Sequence, residues 1–314
     1  MRPWVPLLLA AAASAVAQSF GRFTYPLLLT AIQDDLDLSY TVAGGLASAN
    51  LVAYLGGTVA VTLLATRLLP GAVLRIGLVA SVTGLVLVTF SPGLGALAFG
   101  LVVAGFAGAL IWVPAPVVGA ALLPDRLRGL AFGAIGAGIG IGLVGAGLLA
   151  IPVRASEDPG AWRWLFGIEA AVGLVVAVAA LLILRRPSGG ALTTAGVRLS
   201  AIREVPGWVA LLAAYAAFGI SYSWFFNFLI AMLEDDRGVE ATSASVVFIV
   251  LGAATIPGGL IAGRLSDFVG RRATLIAGFI GMAAGALGAR FAPSWLLFPL
   301  VVLFGLAFAG VPTA

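Results

Sequence analysis

The sequence predicts an all-α protein that crosses a membrane many times, and three observations predict it. Of its 314 residues, 61% are hydrophobic and 10% are charged, with a mean hydropathy of +1.14. A soluble domain carries about 25% charged residues, so this chain cannot cover itself with a water-facing surface. The apolar residues gather into runs of membrane-crossing length. The charges fall at the ends of those runs, and their sign differs between alternate ends.

A membrane span needs about 20 apolar residues. Ten stretches reach or approach that length: 5–32, 41–64, 73–90, 95–122, 130–151, 164–184, 208–233, 242–262, 273–289 and 295–314. Each is expected to be helical, because a segment in lipid must satisfy its own backbone hydrogen bonds. The first stretch imitates a signal peptide, with Arg2, an apolar run and Ala15-Val16-Ala17 before Gln18. Its apolar character continues to Ile32, so it reads as the first spanning helix. In the fourth, Pro114 and Pro116 beside Trp112 predict a kink. In the fifth, glycines 133, 136, 138, 140, 142, 145 and 147 predict close helix packing. This pattern is no nucleotide loop, since it lacks lysine and lies in an apolar run. Asn50 and Tyr54 in the second, four residues apart, share a face and can bind helices together.

Loop charges set the orientation. With a cytoplasmic N-terminus, twelve arginines fall inside: 2, 67, 75, 126, 128, 185, 186, 198, 203, 264, 271 and 272. Four fall outside, Arg154, Arg163, Arg237 and Arg290, together with most of the acids. Arginine excess marks the cytoplasmic side. The net charge of +4 is therefore a matter of topology and not a nucleic-acid surface. The chain has no cysteine and no histidine. Disulfides and thiolate metal sites are excluded, and the commonest general base and metal ligand is missing.

The stretch 185–206 contains Pro187, Ser188, Gly189 and Gly190 and has a linker's composition. It divides the chain into an N-terminal six-helix bundle (1–185), a cytoplasmic linker (186–206) and a C-terminal bundle (207–314). The two bundles echo each other. Phe20-Gly21 recurs as Phe218-Gly219, Asp34-Asp35 as Asp235-Asp236 and Gly56-Gly57 as Gly258-Gly259. Arg67 and Arg75 recur as Arg264 and Arg272. Six helices per copy is even, so the copies run in the same direction. The second copy stops after four helices, and the chain reads as C-terminally incomplete.

Between the eighth and ninth stretches lies Gly263-Arg264-Leu265-Ser266-Asp267-Phe268-Val269-Gly270-Arg271-Arg272. Gly263, Asp267 and Gly270 are spaced for a tight helix–turn–helix, with Arg264, Arg271 and Arg272 where the chain leaves the apolar phase. The spelling Gly-x-Leu-x-Asp-x-x-Gly-Arg-Arg resembles the loop signature of the major facilitator superfamily. Arg128-Gly129-Leu130-Ala131-Phe132-Gly133 and Trp162-Arg163-Trp164-Leu165-Phe166 resemble its helix-five and helix-six openings. Residues 20–29 and 43–56 are similar to the bacterial YbfB/YjiJ branch. The resemblance implies two parallel six-helix repeats, with about ten of twelve transmembrane helices present, in a bacterial inner membrane. It also implies a gating role for the 263–272 loop and a cavity lined by helices one, four, seven and ten. The first-half counterpart of that loop has Pro70 where the second has Asp267, so its gating role is less supported.

Arg22 is the most informative side chain. It lies about 25 Å along the first helix at 1.5 Å per residue, where an unpaired charge costs about 2.5 kcal/mol or more. Two readings are open: an arginine holding an anion or a gate in the cavity, or one reaching the outer interface beside Tyr25. Glu169 is the carboxylate deepest in a predicted span. It pairs with Arg22 or carries a coupling proton, or else it is an interfacial acid near Trp164. Tyr222, Trp224, Phe225, Phe226 and Asn227 either shape a partly apolar substrate or form an aromatic belt.

These features favour a secondary transporter that moves a small organic anion or amphipathic compound by alternating access. Its partners are a small-molecule substrate, the lipid bilayer and a proton gradient, since the sequence shows no ATP-binding motif. An enzyme is disfavoured, because no nucleophile has a base beside it. No cofactor or metal is called for. A scaffold or sensor on the same fold is the alternative.

Overall fold

The computed structural model describes residues 4–64, 67–121, 128–183 and 207–313. The 186–206 linker and Arg126, Arg185, Arg186, Arg198 and Arg203 lie outside the described residues.

All regular structure among the described residues is helical. The first run, α1, passes through Trp4–Ser14, a π-helical stretch Ala15–Phe23, Thr24–Leu27 and Leu29–Leu36. It is followed by α2 (Tyr40–Leu64), α3 (Pro70–Thr89), α4 (Leu94–Trp112, resuming as Ala115–Ala121), α5 (Arg128–Arg154) and α6 (Trp162–Ile183). Then come α7 (Trp208–Ala231, extended by a π-helical turn Met232–Asp236), α8 (Ala241–Val269), α9 (Arg271–Phe291) and α10 (Leu297–Gly310). Eight described helices are long and apolar enough to cross a bilayer. The other two of the ten expected differ for local reasons. The first is interrupted where Gln18, Ser19 and Arg22 enter it, and α10 has only 14 α-helical residues.

The closest helix crossings are built from small residues, and many large apolar ones face outward. Val52, Leu55 and Val59 of α2 and Leu174, Val175 and Val178 of α6 are exposed along outer faces. Lipid is as apolar as these side chains, so burying them gains little. Cohesion comes instead from close backbone approach at glycine. A Cβ on Gly57 would lie 2.5 Å from Phe106 O of α4, and one on Gly258 would lie 2.6 Å from Leu306 O of α10. The glycines are 201 residues apart and their partners 200 (258 − 57 and 306 − 106), so the echo in sequence marks one helix crossing built twice. The α5 glycines work on two faces. Gly142 packs on Ser19 of α1, while Gly140 and Gly147 pack on Ile256 and Ile249 of α8.

Two local expectations are met. α4 breaks at Val113-Pro114, because Pro114 supplies no N–H and its ring clashes with the carbonyl four residues back. Between α8 and α9 the chain reverses through Gly270 at φ +86°, a conformation that costs an L side chain about 1–2 kcal/mol.

Where α1, α7, α8 and α10 meet, an aromatic core forms around Phe23, Phe226, Phe248 and Phe304. Phe23 stacks on Phe226 at 4.3 Å between ring centroids, and Phe225 stacks on Phe304 at 3.7 Å. This core supports the polar site above it in α1.

Candidate functional site

The site begins with the π-helical stretch of α1. Over Ala15–Phe23 the helix holds an extra residue per turn, an arrangement that frequently marks functional positions. The wide turn is pinned at its middle and at its C-terminal end. Ser19 Oγ donates to Ile139 O of α5 at 2.8 Å, and the Thr24 N–H donates to Ser19 O. The turn aims Arg22 inward.

Arg22 is 8% exposed. Its Nη1 donates to Gln18 Oε1 and its Nη2 to Ser223 Oγ of α7, each at a long 3.4 Å. The guanidinium carbon sits 4.6 Å from the Tyr54 ring centroid and 5.3 Å from that of Tyr222. Gln18 Nε2 also reaches Tyr54 Oη at 3.4 Å. No carboxylate among the described residues pairs with Arg22. Beside it lies a cavity of about 10 Å³, lined by Arg22, Phe23, Tyr25, Ala47, Asn50, Leu51, Ser223 and Asn227. That is room for about one water, so a larger ligand requires α1, α2 and α7 to part.

The sequence-derived candidates separate here. Arg22, Tyr25, Tyr222 and Asn227 gather at the cavity, with Tyr25 also anchoring α1 to α2 through a 2.9 Å hydrogen bond to Ala43 O. Trp224 does not: it is 68% exposed and points out of the bundle. Helical periodicity explains this, since Ser223 and Phe226 take the inward face. Asn50 binds helices as expected, donating to Gly21 O of α1 and Leu101 O of α4.

Glu169 of α6 is 1% exposed, enclosed within the helix bundle. The expected pairing with Arg22 is absent. Its Oε1 accepts from Thr24 Oγ1 at 2.5 Å, while Oε2 is buried without a partner. Arg22 and Thr24 leave the π turn in different directions, toward α2 and α7 in one case and α6 in the other.

The 263–272 segment, expected as a loop, is helical except at Gly270 and places Arg264, Asp267, Arg271 and Arg272 at the surface. Among the described residues none of them forms an ion pair. The charged contacts gather at the opposite, acidic end. Arg154 of α5 forms an ion pair with Glu234 beyond α7 and donates to Leu27 O at 2.5 Å and Thr30 Oγ1 at 3.0 Å. Thr30 donates to Glu234 at 2.8 Å, and Tyr40 donates to Asp235. These bonds tie α1, α2 and α5 to α7. Beside them Asp35 accepts from Trp162 Nε1 and Arg163 of α6. Sequence reasoning missed Gln18, Thr24 and Ser223 as site residues, and it missed the Arg154–Glu234 contact. Gln18 and Arg22, four apart in an apolar helix, were the available signal.

The sequence profile described as Major Facilitator Superfamily matches residues 10–311. The chain belongs to the Major Facilitator Superfamily. Among its relatives, the uncharacterized MFS-type transporter YtbD of Bacillus subtilis is 24% identical over 267 residues, covering 84% of this chain and 66% of its own length. YceJ of the same species is 25% identical over 280 residues, covering 86% and 69%. The efflux pump aflT of Aspergillus parasiticus is 29% identical over 175 residues, covering 53% and 34%. The chain thus spans about two thirds of the length of the two Bacillus relatives.

Two solved structures share the superfamily fold. A bacterial homolog of the human lysosomal transporter Spinster, inward-facing and unoccupied, superposes with a TM-score of 0.78 at 18% identity, over 100% of this chain and 74% of that one. The xylose transporter XylE of E. coli, partially occluded and inward open, gives 0.75 at 16% identity, over 100% and 85%. These findings assign the superfamily and a multi-pass membrane location; they do not single out the YbfB/YjiJ branch.

Proposed function

We propose that this superfamily member is a secondary active transporter that carries a small organic anion by alternating access, driven by the proton gradient. The observation that carries this reading is Arg22, a buried cation with no carboxylate partner, in a cavity to which α1, α2 and α7 all contribute. A charge left unpaired in low dielectric is costly unless a ligand compensates it. Tyr54 and Tyr222 flank the guanidinium and suit an anion with an apolar body. Transporters among the relatives and structural neighbours support transport, and one described as a D-xylose-proton symporter supports coupling to protons, whereas the anion is argued from Arg22 alone.

In this reading the N-terminus is cytoplasmic in a bacterial inner membrane, and bundles 1–185 and 207–314 rock about the Arg22 cavity. The Arg154–Glu234 and Tyr40–Asp235 contacts hold the external side shut. The exposed 263–272 loop then engages when the cytoplasmic side closes.

The test is uptake of labelled organic anions into proteoliposomes. Arg22→Gln keeps polarity but removes the charge, and loss of a charged hydrogen bond worth about 2–3 kcal/mol lowers uptake about 100-fold. Arg22→Lys retains a measurable part of it. Uptake by the Gln variant equal to wild type would remove Arg22 from the transport site.

A further inference from the structure

We infer that transport is an electroneutral symport of one proton with one monovalent anion, the proton on Glu169 and the anion on Arg22. The inference rests on the Arg22 transport site proposed above and adds its stoichiometry and its charge class.

The argument is charge bookkeeping in the bundle interior. Arg22 and Glu169 are the charged side chains buried at mid-bundle among the described residues, and they do not pair. Arg22 bonds Gln18 and Ser223, whereas Glu169 bonds Thr24. The groups packed around Glu169 supply no counter-charge. From α1 the ionisable groups are Arg22, Tyr25 and, at its acidic end, Asp34 and Asp35, and from α3 there is Arg75 near the far end of the helix. From the described side chains of α5 there is Arg154 at the acidic end, and none of these bonds Glu169. Its Oε2, buried and unpartnered, is the open position for a proton.

With both sites empty, Arg22 and an ionised Glu169 sum to zero. An anion alone leaves the interior at −1, and a proton alone leaves it at +1. Both together restore zero, with Arg22 neutralised by the ligand and Glu169 by the proton. The half-loaded forms carry a net charge in low dielectric and are the ones disfavoured from crossing. Because the two sites are separate, proton and anion bind together and do not displace one another, which selects symport over exchange. The same sums disfavour proton symport of a dianion, which leaves −1, and of a neutral sugar, which leaves +1. Thr24 and Arg22 lie two residues apart on the π turn, so one segment joins both sites.

The experiment uses proteoliposomes carrying the protein, with three labelled probes: benzenesulfonate, benzene-1,3-disulfonate and xylose. Benzenesulfonate stays ionised at all working pH values. At one proton per anion, a gradient of about one pH unit drives about tenfold accumulation. A potassium diffusion potential at equal pH leaves benzenesulfonate uptake within about twofold, although movement of one net charge would shift it far more. The disulfonate and xylose move at background rates. Glu169→Gln retains benzenesulfonate counterflow at equal pH but loses pH-driven accumulation.

Wild-type uptake that follows the potential, or a Gln variant still driven by pH, overturns the stoichiometry while leaving an Arg22-dependent transporter in place. If no probe moves in an Arg22-dependent way, the transport site itself falls and this inference with it. The potential measurement needs no variant, so a misfolded Gln variant does not blunt the test.

Discussion

Arg22 and Arg154 are both buried arginines on packed helices, and their surroundings are opposite. The Arg154 side chain is 3% exposed, and its two terminal nitrogens meet a carboxylate from Glu234, the carbonyl of Leu27 and the hydroxyl of Thr30, while Nε has no partner. Arg22 is almost as buried yet holds two long bonds to neutral groups and the faces of two tyrosines. One guanidinium has its anion built in, and the other has neutral partners only. The difference separates a contact that holds helices together from the position proposed above to take an anion. Burial alone would have ranked the two together.

The contrast predicts opposite effects on stability. Arg154→Met leaves Glu234 in a site whose side chain is 14% exposed, with Thr30 as its remaining partner. Breaking a buried pair from one side costs about 3–5 kcal/mol. Removing both charges, Arg154→Met with Glu234→Met, recovers most of that loss, because a well-packed apolar pair replaces a buried ion pair at little cost. Arg22→Met strands no counter-charge, so its unfolding free energy stays within about 1 kcal/mol of wild type or rises. Denaturant unfolding of the four proteins in one detergent checks the order. A loss at Arg22→Met as large as that at Arg154→Met would mean that Arg22 has a counter-ion after all, and the comparison would break.

A second prediction concerns the material joining the two arginines. α5 carries Arg154 at its end and presses Gly142 against Ser19, which anchors the π turn bearing Arg22. A Cβ at Gly142 would lie 2.5 Å from Ser19 Oγ and 2.6 Å from Ser19 Cβ, whereas one at Gly145 would meet nothing within 4 Å. Gly142→Ala therefore costs about 1–3 kcal/mol by overpacking and weakens anion binding at Arg22, while Gly145→Ala is neutral in both. Equal effects of the two substitutions would show that α5 does not set the turn's geometry.

Hydropathy and loop charge were enough to place nearly every helix, because a lipid-facing segment must be long, apolar and self-bonded. The kink at Pro114 and the reversal at Gly270 were legible because each depends on the backbone chemistry of one residue. Arg22 stood out because a charge in an apolar run is expensive wherever it points. Its partners were harder to see. Gln18 and Ser223 are 205 residues apart (223 − 18) and meet only when α1 packs on α7, and no periodicity encodes that pairing. The expected Arg22–Glu169 pair failed for a related reason. Arg22 and the Thr24 that meets Glu169 are two residues apart and so lie on nearly opposite faces of α1, and similar depth did not mean a shared face. Trp224 failed on rotation about α7, where the polar and aromatic residues from Tyr222 to Asn227 wrap the whole helix and only part of them can face inward.

Arg163 completes the series as a pair with much less burial, and pH is the way to sharpen its place. Its guanidinium is 26% exposed, donates to Asp35 at 2.6 Å and lies 4.2 Å from the Trp162 ring centroid. Burial works upward on the Asp35 carboxyl, but the hydrogen bonds from Trp162 and Arg163 and the guanidinium charge outweigh it and hold Asp35 below its ordinary value. A carboxyl lowered in the folded state stabilises the fold above its unfolded value near 4 and loses that contribution as pH falls through the folded value. At this degree of exposure the pair contributes about 0.5 kcal/mol, the smallest effect in the series. Asp35→Asn is therefore slightly less stable than wild type at neutral pH, and the gap closes in acid, below about pH 4. Melting curves for both proteins between neutral pH and about pH 3 test this. A gap that persists unchanged in acid would assign the contribution of Asp35 to packing against Trp162, and the charge of Arg163 would then do no more for the fold than its stacking does.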